Sequence, residues 1–338
     1  MTEVLVTGGA GFIGSNFIRH ALGAYPDWRI TNVDKLSYAG RLENLHDVLD
    51  HPRHRFVRAD ICDEAAVAPL VRGAELLVHF AAETHVDRSL RNPHAFVKTD
   101  VVGTLVLLEA ARTSKILRRF LHISTDEVYG SVRAGTSRET DELRPRNPYS
   151  ASKTGADRLA FSYFASFGVP VVIARPSNNY GPYQFPEKVI PLFVTHALDG
   201  RKVPLYGSGE HVRDWLHVRD HCRALDVLLE RGQNGEVYNV GGGNEVRNID
   251  LTHRILEILG RPQSLVEHVD DRPGHDARYA LDSSKLRALG WSPGQAFDRG
   301  LEETVAWYRD NDWWWRPIKD ADPEYRAYYD SQYRASRS

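Results

Sequence analysis

Seven residues near the start constrain this chain more than any others. Val4-Leu5-Val6-Thr7 is β-prone, stops at Gly8-Gly9-Ala10-Gly11-Phe12-Ile13-Gly14, and gives way to a helical pattern from Phe12 to Leu22. The glycines satisfy G-x-G-x-x-G from Gly9, and in the other register they stand at 8, 11 and 14. A bare match of this kind arises often by chance. Here it follows a strand, opens a helix, and is followed twenty positions after Gly14 by Asp34, at the end of the next strand candidate, the context that dinucleotide binding requires. Missing Cβ atoms let backbone approach a pyrophosphate, whose charge sits on free helix N–H groups and the positive end of the helix dipole. Asp34 suits both hydroxyls of a ribose and repels a 2′-phosphate, which favours NAD over NADP; the adjacent Lys35 works against that preference. The plainer alternative is a glycine turn that only seats a helix on a strand.

Further strand candidates follow at Arg29–Val33, Arg55–Ala59, Leu76–Phe80, Phe120–Ser124 and Val171–Arg175, with a long helical stretch over Asp100–Thr113. Strands alternating with helices predict an α/β fold: a Rossmann-like doubly wound parallel sheet covered on both faces. After Pro176 the chain turns polar and rich in turns, as in Asn178-Asn179-Tyr180-Gly181-Pro182-Tyr183 and Tyr206-Gly207-Ser208-Gly209. We therefore expect a dinucleotide-binding domain over 1–177, rejoined by about 212–242. The stretches 178–211 and 243–338 are expected to form a smaller mixed α/β lobe for the substrate. Helical patterns at Leu251–Leu259 and Leu301–Arg309 close it, and Trp313-Trp314-Trp315 is expected to bury a C-terminal tail against it.

A formal net charge of -2 gives no electrostatic case for nucleic acid or an anionic membrane. No apolar run approaches membrane-spanning length. The first residues lack the basic, apolar, small-residue order of a signal peptide, and two cysteines, Cys62 and Cys222, are no disulfide framework. A cytoplasmic location is expected. The fifteen histidines are scattered without a ligand spacing, so no metal is expected.

The chemistry concentrates in two short runs. Asn147-Pro148 reads as an N-cap with proline at the first helical position, which sets Tyr149 and Lys153 one turn apart on one face. A lysine ammonium and a cationic nicotinamide beside the phenol are expected to lower the tyrosine pKa, as alcohol oxidation requires. Many surface helices carry Tyr-x-x-x-Lys; after a dinucleotide fingerprint it means more. Thr125, Asp126 and Glu127 directly follow a strand, where open α/β sheets place their ligand crevice. Two carboxylates exceed the needs of an oxidation and suggest removal of water as well; an acidic capping turn is the alternative. Asp60 and Ile61 are candidates for adenine contact, or Asp60 for a cap. Phe80, Ala81 and Ala82 put small side chains where a strand end passes the cofactor, and Thr99 is either a cofactor contact or a helix cap.

Together these residues resemble the extended short-chain dehydrogenase/reductases, specifically the nucleoside-diphosphate-hexose 4,6-dehydratases. The likeness covers nearly the whole chain: Thr7–Gly14, Asp34–Gly40, Ala81–Ser89, Ser124–Gly130, Tyr149–Lys153, Ser177–Lys188, Arg213–Trp215 and Asp271–Asp276. It implies a tightly held NAD that is regenerated each turnover, with Lys35, Ser37 and Asn179 among its contacts. Tyr149 would take the 4-hydroxyl proton as C4 gives hydride to NAD, with Thr125 on that oxygen and Lys153 on the ribose. Glu127 would remove the C5 proton, a protonated Asp126 would release the 6-hydroxyl as water, and the hydride would return to C6. The resemblance assigns Thr84, Asn178, Glu187, Lys188, Val189, Pro204, Tyr206, Arg213, Asn248, Arg272 and His275 to the substrate, the arginines suiting a diphosphate. It implies dTDP-glucose as substrate and a homodimer built on helices near Asp100–Thr113 and Tyr149–Phe167. Departures are Arg41 for a frequent asparagine, Arg175-Pro176-Ser177 for a commoner Arg-Cys-Ser, and Val189 for leucine. Left open are a 4-epimerase in which Asp126 and Glu127 only bind, the same dehydration on a UDP-, GDP- or CDP-hexose, and a catalytically silent NAD-binding protein.

Overall fold

The computed structural model describes residues 1–334. Seven strands form the central sheet: β1 (Thr2–Thr7), β2 (Trp28–Asp34), β3 (His54–Arg58), β4 (Leu76–His79), β5 (Arg119–Ile123), β6 (Val171–Pro176) and, later in the chain, β10 (Val237–Val240). They lie in the order β10-β6-β5-β4-β1-β2-β3, and every pairing is parallel. The chain winds outward from β1 to β3, then returns to place β4 on the other side of β1. Registers such as Thr7↔Val33, Thr7↔His79 and Ile123↔Ala174 bring the carboxyl ends of these strands to one edge. A crevice opens at that edge beside the reversal in strand order.

Both faces of the sheet are apolar, as a parallel sheet between helices requires. Val4, Val6, Val78, Leu121 and Val172 pack on one side, and Leu5, Leu77, Phe120, Val171 and Ile173 on the other. A third core gathers Tyr180, Trp215, Leu251, Tyr308, Trp314 and Trp315 in the remaining lobe. Four strands there, β7 (Asn178–Tyr180), β9 (Val212–His217), β11 (Glu245–Arg247) and the separately paired β8 (Val203–Tyr206), are joined by β12 (Val266–Val269). They make a three-stranded sheet, β11-β9-β7, and a two-stranded one, β12-β8.

Three expectations change. The return to the large sheet begins with the helix Val218–Arg231 and not at 212, because β9 pairs inside the small sheet. The stretch expected as one helix over 100–113 starts earlier, as a π-helical turn, Val97–Gly103, that continues as an α-helix over Thr104–Arg112. Of the three tryptophans, Trp314 and Trp315 are buried while Trp313 is 46% exposed. Trp314 Nε1 donates to Asn44 Oδ1 at 2.8 Å and so ties the tail to the first lobe as well. Among the described residues no helix is long and apolar enough to cross a membrane.

Candidate active site

One cavity follows the strand-end edge, and every residue expected to bind or react lines it except Asp60. At the turn end, Gly8 leaves β1 with a φ of +73°, and a Cβ there would lie 2.5 Å from Ala81 N. At Gly14 a Cβ would lie 2.4 Å from Gly8 O. The turn is thus folded on itself and on Phe80-Ala81-Ala82, and only glycine fits. Gly11 caps the helix Phe12–Ala24 without any side-chain hydrogen bond to its first N–H groups, as an anion site requires. Asp34 Oδ2 accepts from Ala10 N at 3.0 Å and Oδ1 from Leu36 N at 2.8 Å. Each oxygen keeps a lone pair for a hydroxyl.

Lys35 Nζ lies 3.2 Å from Glu83 Oε1 and donates to Thr99 Oγ1 at 3.1 Å. Its charge is matched within the protein, and Thr99 serves it and not a helix end. Asp60 Oδ1 accepts from Cys62 N at 2.9 Å, capping a turn, and Oδ2 lies 4.0 Å from Lys35 Nζ at the cavity's edge, while Ile61 reaches in. Ser37 and Asn179 line this end too.

At the centre, Asn147 Oδ1 accepts from Ser150 N at 2.9 Å and Ser150 Oγ accepts from Asn147 N at 3.2 Å, a reciprocal cap. With Pro148 at the first turn it fixes the helix Pro148–Phe167 that carries Tyr149 and Lys153. Lys153 Nζ donates to Ile123 O, the last residue of β5, at 2.7 Å. Thr125 caps the turn Asp126–Tyr129 by accepting from Glu127 N at 3.3 Å, and its hydroxyl donates to Asp126 Oδ1 at 3.2 Å. The capping alternative and a binding role are compatible.

The two acids sit in different fields. Burial pushes the Asp126 carboxyl well up, Glu127 and Asp214 push it further, and Arg213 opposes them. Burial also raises Glu127, which stays above the usual carboxylate value although Arg272, Arg213 and Lys188 pull against the rise. Of the two, Asp126 is therefore the acid held neutral more strongly, and Glu127 the one the surrounding cations help to ionise. The protein's own groups raise Tyr149 well above the usual phenol value, through burial first and then Glu127 and Asp100, so the expected fall rests on the nicotinamide cation. Burial meanwhile lowers Lys153.

At the far end, Lys188 Nζ donates to Thr84 Oγ1 at 3.0 Å, and Arg88 Nε donates to Glu187 Oε2 at 2.8 Å. Arg213 lies over the Tyr279 ring at 4.4 Å and donates to Asp276 O at 2.9 Å. Arg272 Nη1 donates to Asp87 Oδ1 at 3.2 Å. Val189 opens one helix of this lobe and Asn248 another, while Pro204 and Tyr206 lie on β8. Several buried atoms of cavity residues have no partner among the described residues: Ser124 Oγ, Asp126 Oδ2, Asn178 Oδ1, Glu187 Oε1, Asn248 Oδ1 and Arg272 Nε. Buried polar groups are rarely left so, and this set suits a polar ligand.

His275 stacks on His211 at 3.7 Å and bonds Asp271 at 2.6 Å, which brings three ligand-type side chains together. Arg272 and Arg213 add to burial in holding His275 down, to about 3. The same positive charges work against a cation there. The residue reading missed Glu83 and Asp87, both inside the run Ala81–Ser89, and Tyr279, whose hydroxyl donates to Asp276 Oδ2 at 2.7 Å and lies 3.4 Å from Glu127 Oε2. It also missed Tyr333, which no local pattern marks.

A glycine turn on a wholly parallel sheet, with a Tyr/Lys pair on one helix facing the end of β5, defines an extended short-chain dehydrogenase/reductase. Within that class the chain belongs to the family described as GDP-mannose 4,6 dehydratase, whose model matches residues 5–304. It is 52% identical over 325 residues to a dTDP-glucose 4,6-dehydratase of Streptomyces niveus, covering 95% of this chain and 96% of that one. The crystal structure of DesIV, a dTDP-glucose 4,6-dehydratase of Streptomyces venezuelae with NAD bound, matches at a TM-score of 0.92 and 50% identity, over 94% of this chain and 100% of the other. A UDP-glucose 4-epimerase of Thermotoga maritima also matches, at a TM-score of 0.85 but 32% identity, over 91% and 99%. Fold alone therefore does not separate the two activities.

Proposed function

We propose that this chain is an NAD-dependent hydro-lyase that converts dTDP-glucose to dTDP-4-keto-6-deoxyglucose. The observation that carries the reading is the unequal electrostatic setting of Asp126 and Glu127 in the cavity that also holds Tyr149 and Lys153. An epimerisation at C4 needs neither acid. The identity to dTDP-glucose 4,6-dehydratases, well above that to the epimerase, supports the same choice and supports thymidine as the base.

Bound NAD supplies the redox chemistry at C4 and C6 and a positive charge that favours the Tyr149 phenolate. The glycine turn, the open helix end and the remaining lone pairs of Asp34 fit it, and Lys35 is paired with Glu83 rather than held free for a 2′-phosphate. Lys153 steadies the ribose and Tyr149 takes the proton of the 4-hydroxyl, with Thr125 hydrogen-bonded to that oxygen. The resulting ketone acidifies C5, whose proton Glu127 removes. Asp126 protonates the departing 6-hydroxyl, its unpartnered Oδ2 being the atom free to reach it.

In this reading 1–177 with the returning segment chiefly holds NAD and the remainder chiefly holds the sugar nucleotide, with Thr84 and Thr125 reaching across to the sugar and Asn179 to NAD. We assign the protein to the cytoplasm, where two unpaired thiols persist. The exposed side chains of Val97, Val102 and Leu105 on one helical stretch and Phe161 and Phe167 on the other favour a homodimer through those helices. Mass spectrometry of the product from dTDP-glucose, UDP-glucose and GDP-mannose, without added NAD, is the test. Loss of one water from dTDP-glucose is expected; a product of unchanged mass means epimerisation, and preference for another nucleotide overturns the base assignment.

A further inference from the structure

Asp87 touches no reacting atom in that scheme, yet its partners converge on the nucleotide end of the cavity. It lies in the first turn of the helix Val86–Arg91, with its side chain only 3% exposed. Oδ1 accepts from Arg272 Nη1 at 3.2 Å, and Oδ2 accepts from the hydroxyls of Tyr206 at 2.9 Å and Tyr328 at 3.3 Å. Those partners come from the loop after β12, the end of β8 and the C-terminal helix Pro323–Tyr329. Gln332 Nε2 adds a bond to the Tyr206 hydroxyl at 2.8 Å.

His85 Nδ1 is 3.8 Å from Asp87, but burial keeps that imidazole neutral, at about 4, so Arg272 is the cation that answers the carboxylate. The guanidinium is a rigid fork. Asp87 takes one corner of it, while Arg272 Nε, buried and without a protein partner among the described residues, belongs to the edge left for a ligand. The Tyr206 ring is held from its hydroxyl end, and the residue lines the cavity.

We propose that Asp87 is a positioning residue for the nucleoside diphosphate, aiming Arg272 at the diphosphate and fixing Tyr206 beside it without touching the substrate. The inference rests on the sugar-nucleotide reading given above. It makes a prediction opposite to simple charge bookkeeping. A carboxylate beside an arginine weakens its pull on an anion, so if Asp87 only neutralised Arg272, its removal would tighten binding. If it aims Arg272, removal loosens binding.

The experiment is calorimetric titration of the full-length protein with dTDP, alongside steady-state kinetics and bound-NAD content, for Asp87→Asn and Asp87→Glu. Asp87→Asn should weaken dTDP binding and raise KM for dTDP-glucose by the same factor, about tenfold, while NAD content holds and kcat stays within about threefold. Asp87→Glu keeps the charge and moves it, and should weaken dTDP as well. On an Arg272→Lys background Asp87→Asn should matter by no more than about twofold, because the group it aims is gone. Unchanged or tighter dTDP binding in both Asp87 variants overturns the proposal, and so does the same factor on both backgrounds. Wild-type protein that binds dTDP but releases no water from dTDP-glucose sinks the dehydratase reading alone.

Discussion

The two ends of the cavity are built by different means. The turn end is backbone: a positive φ at Gly8, close approaches that leave no room for a Cβ, and helix N–H groups left uncapped. The far end is side chains brought from distant stretches and held by charge, such as Arg272 with Asp87 across 185 positions and Arg88 with Glu187 across 99. A backbone site tolerates almost no substitution but needs little from the remainder of the chain. A site of paired side chains depends on each pairing, and its properties can be tuned one residue at a time.

Tyr149 stands where the ends meet, so Tyr149→Phe should disable both. We expect kcat for dTDP-glucose to fall about a thousandfold, with no NADH absorbance on mixing in a stopped-flow instrument. Near-normal absorbance would mean that another group takes the 4-hydroxyl proton. Glu127→Gln should act only beyond the first oxidation. Uptake of solvent deuterium at C5 should drop about a hundredfold or more while absorbance from C4 oxidation still develops. Unaltered deuterium uptake would falsify the base assignment.

Gly8→Ala should damage the turn end alone. The strained φ and the contact with Ala81 should reduce bound NAD per purified chain about tenfold, with dTDP binding preserved. Equal loss of both ligands would show that the ends are not separable in this way.

The smallest effect is expected at Asp100, which joins the two helices flanking the centre. Its carboxylate accepts from Glu83 N at 2.8 Å and Ser152 Oγ at 2.6 Å, and burial raises its pKa to about 6. A raised acid favours the folded state while protonated. That contribution is complete below the unfolded value near 4 and is lost as pH climbs past about 6. Asp100→Asn, neutral at every pH, should therefore melt about 3 °C above wild type at pH 8, with the gap closing toward pH 4. A gap that widens in acid contradicts the raised pKa.

Local order was legible in the residues. Turn, cap and spacing act over a few positions, so Gly8–Gly14, Asn147-Pro148 and the Tyr149/Lys153 pair could be read directly, and with them the parallel sheet. Matches over longer runs placed nearly all the site residues in one cavity. Tertiary structure decided the unequal fields at Asp126 and Glu127, the upward shift of Tyr149, the exposure of Trp313 and the partners of Asp87. Each of these depends on desolvation or on a charge dozens of positions away, and such quantities exist only once the chain has closed around them.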